Sequence, residues 1–157
     1  MELLLKLLIL LPFIGYILSF FTPSKKENSI YVISITTIIL QFLAFLYFGI
    51  LWGISKFPDL STNFLNLYKA DDYISISLFF DSLTCAYLIV TFFITFAVLL
   101  FSRAYIHREK GYKRFFNNTL LFYLGLNFIL LAGNFETLFI GWEMIGVGKF
   151  FFLDKLL

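Results

Sequence analysis

The sequence predicts an all-α membrane protein with about five transmembrane helices and a short hairpin on the outer face between helices 2 and 3. Hydrophobic residues make up 61% of the 157 residues and charged residues only 14%, whereas soluble domains carry about 25% charge. Mean hydropathy is +0.91. Apolar segments of about 20 residues, the length that crosses a bilayer, recur along the chain.

The charge balance and the cysteine count exclude several classes of protein. Twelve basic and ten acidic residues leave a net charge of +2, which argues against a nucleic-acid partner. Cys85 is the one cysteine and His107 the one histidine, too few ligands for an iron–sulfur cluster or a structural zinc ion. We therefore expect no metal and no cofactor bound by this chain.

The predicted spans form a single transmembrane module over residues 1–157. A fifth span contains Glu143, Lys149 and Asp154, and a charged group near a helix centre costs roughly 2.5–3.5 kcal/mol on insertion scales. That helix should need neighbouring helices to shield it. The spans are expected at about 3–21, 30–53, 79–101, 115–133 and 137–157.

The loops predict the orientation of these helices. The loops at 23–29 and 102–114 are basic, and the loop at 56–72 between them is acidic. Positive loops stay on the cytoplasmic or matrix side, so the N-terminus is expected outside and the C-terminus inside. The basic stretch Arg103–Arg114 also fits contact with anionic lipids.

A hairpin in the outer loop is one of two evenly balanced interpretations. Residues 73–78 alternate polar and apolar with period two, the pattern of a half-buried strand. Residues 62–67 form a poorer partner strand, with the turn at 69–72. The alternative is an irregular loop at the membrane interface.

Glu143 is the candidate for proton translocation. It lies about 10 Å inside the outer boundary of the fifth span at ~1.5 Å per residue, and an intramembrane carboxylate is costly and therefore typically functional. Burial disfavours its charged form and a nearby cation favours it, the competition that a proton relay requires. The alternative is a static polar group at a helix contact.

Lys149 and Asp81 are the accessory candidates. Lys149 lies six residues beyond Glu143 and about 240° round the helix, so the two should not pair directly. The favoured interpretation is that the Lys149 side chain extends to the inner membrane surface. Asp81 immediately precedes the third helix, where capping is the favoured interpretation.

Other polar and small residues in the spans point to helix packing. Gln41 and Asn127 are expected to form hydrogen bonds between helices. Gly141 and Gly148 share a face of the fifth helix, where a neighbouring backbone could approach closely.

The order of these segments resembles a known family. The motif Phe80-Asp81-Ser82-Leu83-Thr84 is followed by Ala132-Gly133-Asn134-Phe135 and then by Gly141-Trp142-Glu143. The chain resembles, over nearly its whole length, the N-terminal part of NADH dehydrogenase subunit 5, the distal antiporter-like subunit of respiratory complex I. The related subunits of cation/proton antiporters carry similar motifs and remain an alternative.

The resemblance implies a role in proton translocation coupled to electron transfer. Glu143 would be the family's fifth-helix glutamate, which pairs with a lysine on a later helix. The flavin, iron–sulfur clusters and quinone would sit in other subunits, with no redox chemistry in this chain. The lysine at position 149 departs from the family pattern.

The resemblance also implies partners and a location. Other membrane-arm subunits of complex I would surround the chain. Because the family continues beyond the point matched by Leu157, we expect a second polypeptide that carries the remaining helices. The alternative is that this chain is a scaffold fragment that takes no part in proton transfer. The 23 phenylalanines fit an A/T-rich organelle genome and hence the mitochondrial inner membrane, with the N-terminus in the intermembrane space and the C-terminus in the matrix.

Overall fold

The protein is mostly helical in a computed structural model that describes residues 1–69, 72–106 and 111–153. Within these residues there are five helices and one two-stranded antiparallel sheet. The elements are α1 (Glu2–Phe21), α2 (Glu27–Ile54), β1 (Leu60–Lys69), β2 (Asp72–Phe80), α3 (Ser82–Tyr105), α4 (Tyr112–Leu130) and α5 (Phe135–Leu153).

Three helices of the described part, α1, α2 and α3, are long and apolar enough to cross a membrane by themselves. At ~1.5 Å per residue, the 28 residues of α2 extend about 42 Å, more than the ~30 Å hydrocarbon core. The helices α4 and α5 are 19 residues each but carry more polar and charged side chains. The chain thus has the helices of a multi-pass membrane protein.

The alternating segment after α2 forms a strand, as the period-two pattern predicted. The strand β2 pairs with β1 from Leu60↔Phe80 to Lys69↔Asp72, with an irregularity between Asn63 and Leu65. The tip of the predicted turn, residues 70–71, lies outside the described residues. Because β2 continues through Phe79 and Phe80, α3 begins at Ser82, three residues after the start of the predicted span.

The helices run alternately up and down, so that loops of like charge meet at the same end. The guanidinium carbon of Arg103, at the end of α3, lies 4.4 Å from the centre of the Tyr31 ring. A nitrogen of the same group donates to the amide oxygen of Asn28 at 3.4 Å, and both partners lie near the start of α2. Lys113 at the start of α4 lies 5.7 Å from the Phe20 ring at the end of α1. We call this the basic end; the sheet lies at the opposite end.

A polar pair joins α2 to α4 between two apolar clusters of the core. The amide nitrogen of Gln41 donates to the amide oxygen of Asn127 at 2.8 Å, and both side chains are buried. The nitrogen of Asn127 donates to the carbonyl of Tyr123 in the preceding turn. The predicted interhelical hydrogen bond is therefore confirmed, and it links the two helices deep in the bundle.

Candidate functional site

The turn between α4 and α5 is bonded to the sheet, and this fixes where α5 begins. The N–H of Phe79 donates to the carbonyl of Leu131 at 2.8 Å, and the N–H of Gly133 donates to the carbonyl of Ser77 at 2.9 Å. A side chain at position 133 would place its Cβ 2.8 Å from the Ser77 hydroxyl. The same Cβ would lie 3.2 Å from the carbonyl carbons of Ser77 and Leu78, so any side chain here would crowd the contact between the turn and β2.

Asn134 and Thr137 complete this attachment. The amide oxygen of Asn134 accepts from the N–H of Thr137 at 3.0 Å, the geometry of a helix N-cap. The hydroxyl of Thr137 is fully buried and accepts from the N–H of Ser77 at 3.0 Å. The motif quoted above contains Asn134 but predicted no role for it or for Thr137, although an asparagine directly before an apolar helix is a recognisable capping signal.

The helices α5 and α4 approach each other most closely where Gly141 of α5 faces Gly125 of α4. A Cβ at Gly141 would lie 2.8 Å from the carbonyl oxygen of Gly125 and 2.9 Å from the backbone nitrogen of Ile129. Such close contact with main-chain atoms means that the two helix backbones nearly touch. The predicted close approach is confirmed at Gly141, whereas Gly148 meets only a methyl group of Leu121 at 3.9 Å.

Glu143 lies on the side of α5 away from this contact. Two residues correspond to about 200° of helix rotation, so Glu143 points away from α4 when Gly141 faces it. The structure accordingly leaves Glu143 exposed. Phe139 and Val147, one turn before and after it, are 60% and 46% exposed, and a Cβ at Gly146 would meet nothing within 4 Å.

This exposed face therefore carries a carboxylate between apolar side chains, with space beside it. Among the described residues Glu143 has neither a hydrogen bond nor an ion pair. A carboxylate in an apolar membrane environment is unfavourable without a cation or hydrogen-bond donors. Such a face is typical of a helix that packs against further helices bearing a polar partner.

Lys149 does not join Glu143. Lys149 lines an apolar cavity of about 350 Å³ between α3, α4 and α5, together with Thr95, Phe115 and Ile145. Its side chain is exposed at this cavity, on another side of the helix from Glu143. The prediction that the two groups do not pair directly agrees with this placement. Asp154, at the predicted inner boundary, lies outside the described residues.

Asp81 caps α3, as the favoured interpretation held. One carboxylate oxygen accepts from the N–H of Thr84 at 2.8 Å, and this hydrogen bond lowers the pKa of Asp81 below its ordinary value. The residue sits between β2 and α3, at the same end of the bundle as the start of α5. The structure thus shows Asp81 as a helix cap, and an accessory part in proton transfer stays a prediction.

Replacing Asp81 tests this capping role. Asp81→Ala should cost about 0.5–1 kcal/mol of stability, whereas Asp81→Asn keeps an oxygen acceptor and should cost less. Because the folded-state pKa is lowered, the carboxylate's contribution is present above the ordinary value of 3.8 and is lost as the pH falls through the folded-state pKa. Thermal unfolding of wild type and both variants in detergent micelles, followed by circular dichroism between pH 7 and pH 3, measures the contribution of the Asp81 carboxylate to stability. Equal midpoints for wild type and Asp81→Ala at pH 7 would contradict the cap.

Comparison with known proteins identifies the family. The sequence profile described as NADH-Ubiquinone oxidoreductase (complex I), chain 5 N-terminus, matches residues 69–116. This chain corresponds to the N-terminal region of subunit 5. The segment matched to the chain 5 profile contains β2, Asp81 and α3 but ends before α5.

Individual relatives of the chain 5 family extend the similarity over most of the sequence. NADH-quinone oxidoreductase subunit L of Buchnera aphidicola is 30% identical over 146 residues, 90% of this chain and 23% of that protein. Subunit L of Escherichia coli is 28% identical over 91% of this chain and 24% of its own length. NADH-ubiquinone oxidoreductase chain 5 of Rhinoceros unicornis is 30% identical over 82% of this chain. The chain spans about a quarter of the length of these curated relatives.

Proposed function

We propose that this chain forms the N-terminal helices of the distal proton-translocating subunit of respiratory complex I. In this role it contributes to proton movement coupled to the oxidation of NADH by a quinone. The observation that carries the proposal is Glu143, a carboxylate on an exposed apolar face of α5, in a chain whose relatives are named as NADH oxidoreductase subunits. Redox cofactors, namely the flavin, the iron–sulfur clusters and the quinone, belong to other subunits in this proposal.

Glu143 would act with a cation supplied by helices outside residues 1–157. A lysine placed beside the carboxylate stabilises the charged forms of both groups, and separating the pair favours neutral forms. Separation would thus move a proton between the two sites without redox chemistry in the chain. The exposed face around Glu143 and the open space beside Gly146 support this arrangement.

The membrane arrangement belongs to the same proposal. All five helices would span the mitochondrial inner membrane as one module, with the β1–β2 hairpin on the intermembrane-space face. The N-terminus would lie on that face and the C-terminus in the matrix. Supporting this orientation, Lys25, Lys26, Arg103, Lys113 and Arg114 gather at the basic end, the charge distribution expected of the inner side.

A structural role in the same membrane arm is the second candidate. The contact between Gly125 and Gly141 and the bonding of the outer turn to β2 would serve a scaffold as well as a proton path. In that case the ionisable groups of α5 stay static. The two candidates differ in the consequence of removing the Glu143 charge.

The composition of the native assembly tests the proposed membership of complex I. Native membranes are solubilised gently, the assembly that contains this chain is isolated by size, and its proteins are identified by mass spectrometry. We expect NADH-oxidising subunits together with the helices that follow α5 in the relatives, either on this polypeptide or on a second one. The chain alone, or with small membrane proteins only, would refute the proposal. Cation-exchange subunits without NADH-oxidising ones would instead place it in a cation/proton antiporter.

A further inference from the structure

The cavity of about 350 Å³ between α3, α4 and α5 is lined by apolar side chains apart from two threonines and Lys149. Gly148 leaves part of this space open, because a Cβ there would meet only a methyl group of Leu121, at 3.9 Å. Thr95 lies ten residues before the end of α3 at Tyr105, about 15 Å at ~1.5 Å per residue. The cavity therefore extends from the side of the basic end to about the middle of the span.

The hydroxyl of Thr95 lines this cavity without a hydrogen-bond partner. The side chain is only 6% exposed, and its oxygen makes no hydrogen bond with the described residues. By contrast, the hydroxyls of Thr37 and Thr119 donate to the carbonyl one turn earlier, at 2.7 and 2.9 Å. The Thr95 oxygen is not sealed within the protein, so a group that enters the cavity can reach it. Because buried polar groups are nearly always paired, this hydroxyl indicates an occupant with a polar group at that depth.

Lys149 brings a positive charge to the same cavity, and the helices beside it supply no counter-charge. Neither α3 nor α4 contains an acidic residue. On α5, Glu143 lies about 240° round the helix from Lys149. Within the described part of the chain Lys149 forms no ion pair. Because ionisable groups in membrane-spanning segments are usually paired, the cavity favours an occupant with an acidic group.

We propose that a transmembrane helix from outside residues 1–157 packs into this cavity and places a carboxylate beside Lys149. A lipid acyl chain would fill the apolar part of the cavity but has no group that pairs with the Thr95 hydroxyl in the middle of the span. A helix carries acidic and polar side chains at different depths, and small residues such as Gly148 let membrane helices approach closely. The contact lies on another side of α5 from Glu143, so it stands or falls independently of proton translocation.

Photo-crosslinking in the native membrane identifies the occupant. The probe p-benzoylphenylalanine replaces Phe122, which lines the cavity and is 44% exposed, and the captured peptides are identified by mass spectrometry. We expect a segment of another transmembrane helix that contains Asp or Glu. The same probe in place of Phe13 on α1, which is equally exposed but outside the cavity lining, should not capture that segment. Capture of lipid alone, or of a helix without an acidic residue, would overturn the proposal.

Charge exchange tests the pairing with Lys149. Lys149→Glu should lower the yield of this cross-link by about tenfold or more, and changing the acidic residue of the captured helix to lysine should restore it. Lys149→Arg keeps the charge and should cross-link as wild type does. Absence of this restoration would reject the pair, as would a wild-type yield in Lys149→Gln. Glu109 and Asp154 lie outside the described residues, and an equal loss in Glu109→Gln or Asp154→Asn would place the counter-charge within this chain and reject the pair.

Two threonine variants test the polar contact in the middle of the span. Thr95→Val and Thr119→Val each remove one hydroxyl from the cavity lining. Only Thr95→Val should lower the cross-link yield, by about two- to tenfold, because the Thr119 hydroxyl already donates to the carbonyl of Phe115. Equal yields in the two variants would show that the occupant makes no hydrogen bond with Thr95, and would remove the reason for preferring a helix to an acyl chain.

Discussion

The Glu143→Gln variant is expected to lower proton pumping by about tenfold or more, while the assembled complex remains close to normal amount. Glutamine keeps the size of the side chain and its hydrogen bonding but cannot exchange a proton. Because Glu143 is exposed and makes no hydrogen bond with the described residues, the change should leave the packing of α4 and α5 intact. NADH-driven acidification of membrane vesicles and coupled NADH oxidation measure the effect.

Glu136→Gln provides the matched control for this experiment. Glu136 lies in the first turn of the same helix and is also exposed. Its variant therefore removes a carboxylate from α5 at a position outside the apolar face around Glu143. It should pump nearly as wild type. Normal pumping by Glu143→Gln would reject the proton-relay role and favour the scaffold. Loss of the assembled complex would show that the carboxylate is needed for packing.

Gly141→Leu should prevent normal packing of α5 and sharply lower the amount of assembled complex. Even the first carbon of a side chain would lie 2.8 Å from the Gly125 carbonyl and 2.9 Å from the Ile129 nitrogen, and main-chain atoms cannot swing aside as a flexible side chain does. Overpacking of this kind costs typically 1–3 kcal/mol, and leucine adds further atoms to the clash. Native gel electrophoresis of solubilised membranes and thermal unfolding of the chain provide the measurements.

Gly146→Ala serves as the control in the same helix. A Cβ at Gly146 meets nothing within 4 Å, and alanine favours helix over glycine by up to about 1 kcal/mol. In thermal unfolding of the chain by itself, this variant should be as stable as wild type or slightly more stable. If Gly141→Leu unfolded at the same temperature as Gly146→Ala, the close contact between α4 and α5 would be refuted.

Features with a local cause could be predicted from the sequence. Asp81 stands directly between an alternating segment and an apolar helix, and this position alone predicts a cap. The amide side chains of Gln41 and Asn127 lie in apolar segments, where an unpaired amide is costly, so a bond between helices follows from their setting. Residues 73–78 alternate polar and apolar side chains, and this local pattern predicted the strand β2.

Features that depend on which faces meet could not be predicted. Nothing local in the sequence indicates that Gly125 would face Gly141, because the partner of a small residue is fixed by the rotation and depth of two helices. The bond between Ser77 and Thr137 joins positions 60 residues apart.

The attachment of α5 to the sheet fixes the position of this helix at one end only. Thr137 is held by Ser77, and the helix extends from there towards the opposite face. Glu143 lies about 9 Å from Thr137 and Lys149 about 18 Å, at ~1.5 Å per residue. Any tilt of α5 about this end would therefore displace Lys149 about twice as far as Glu143.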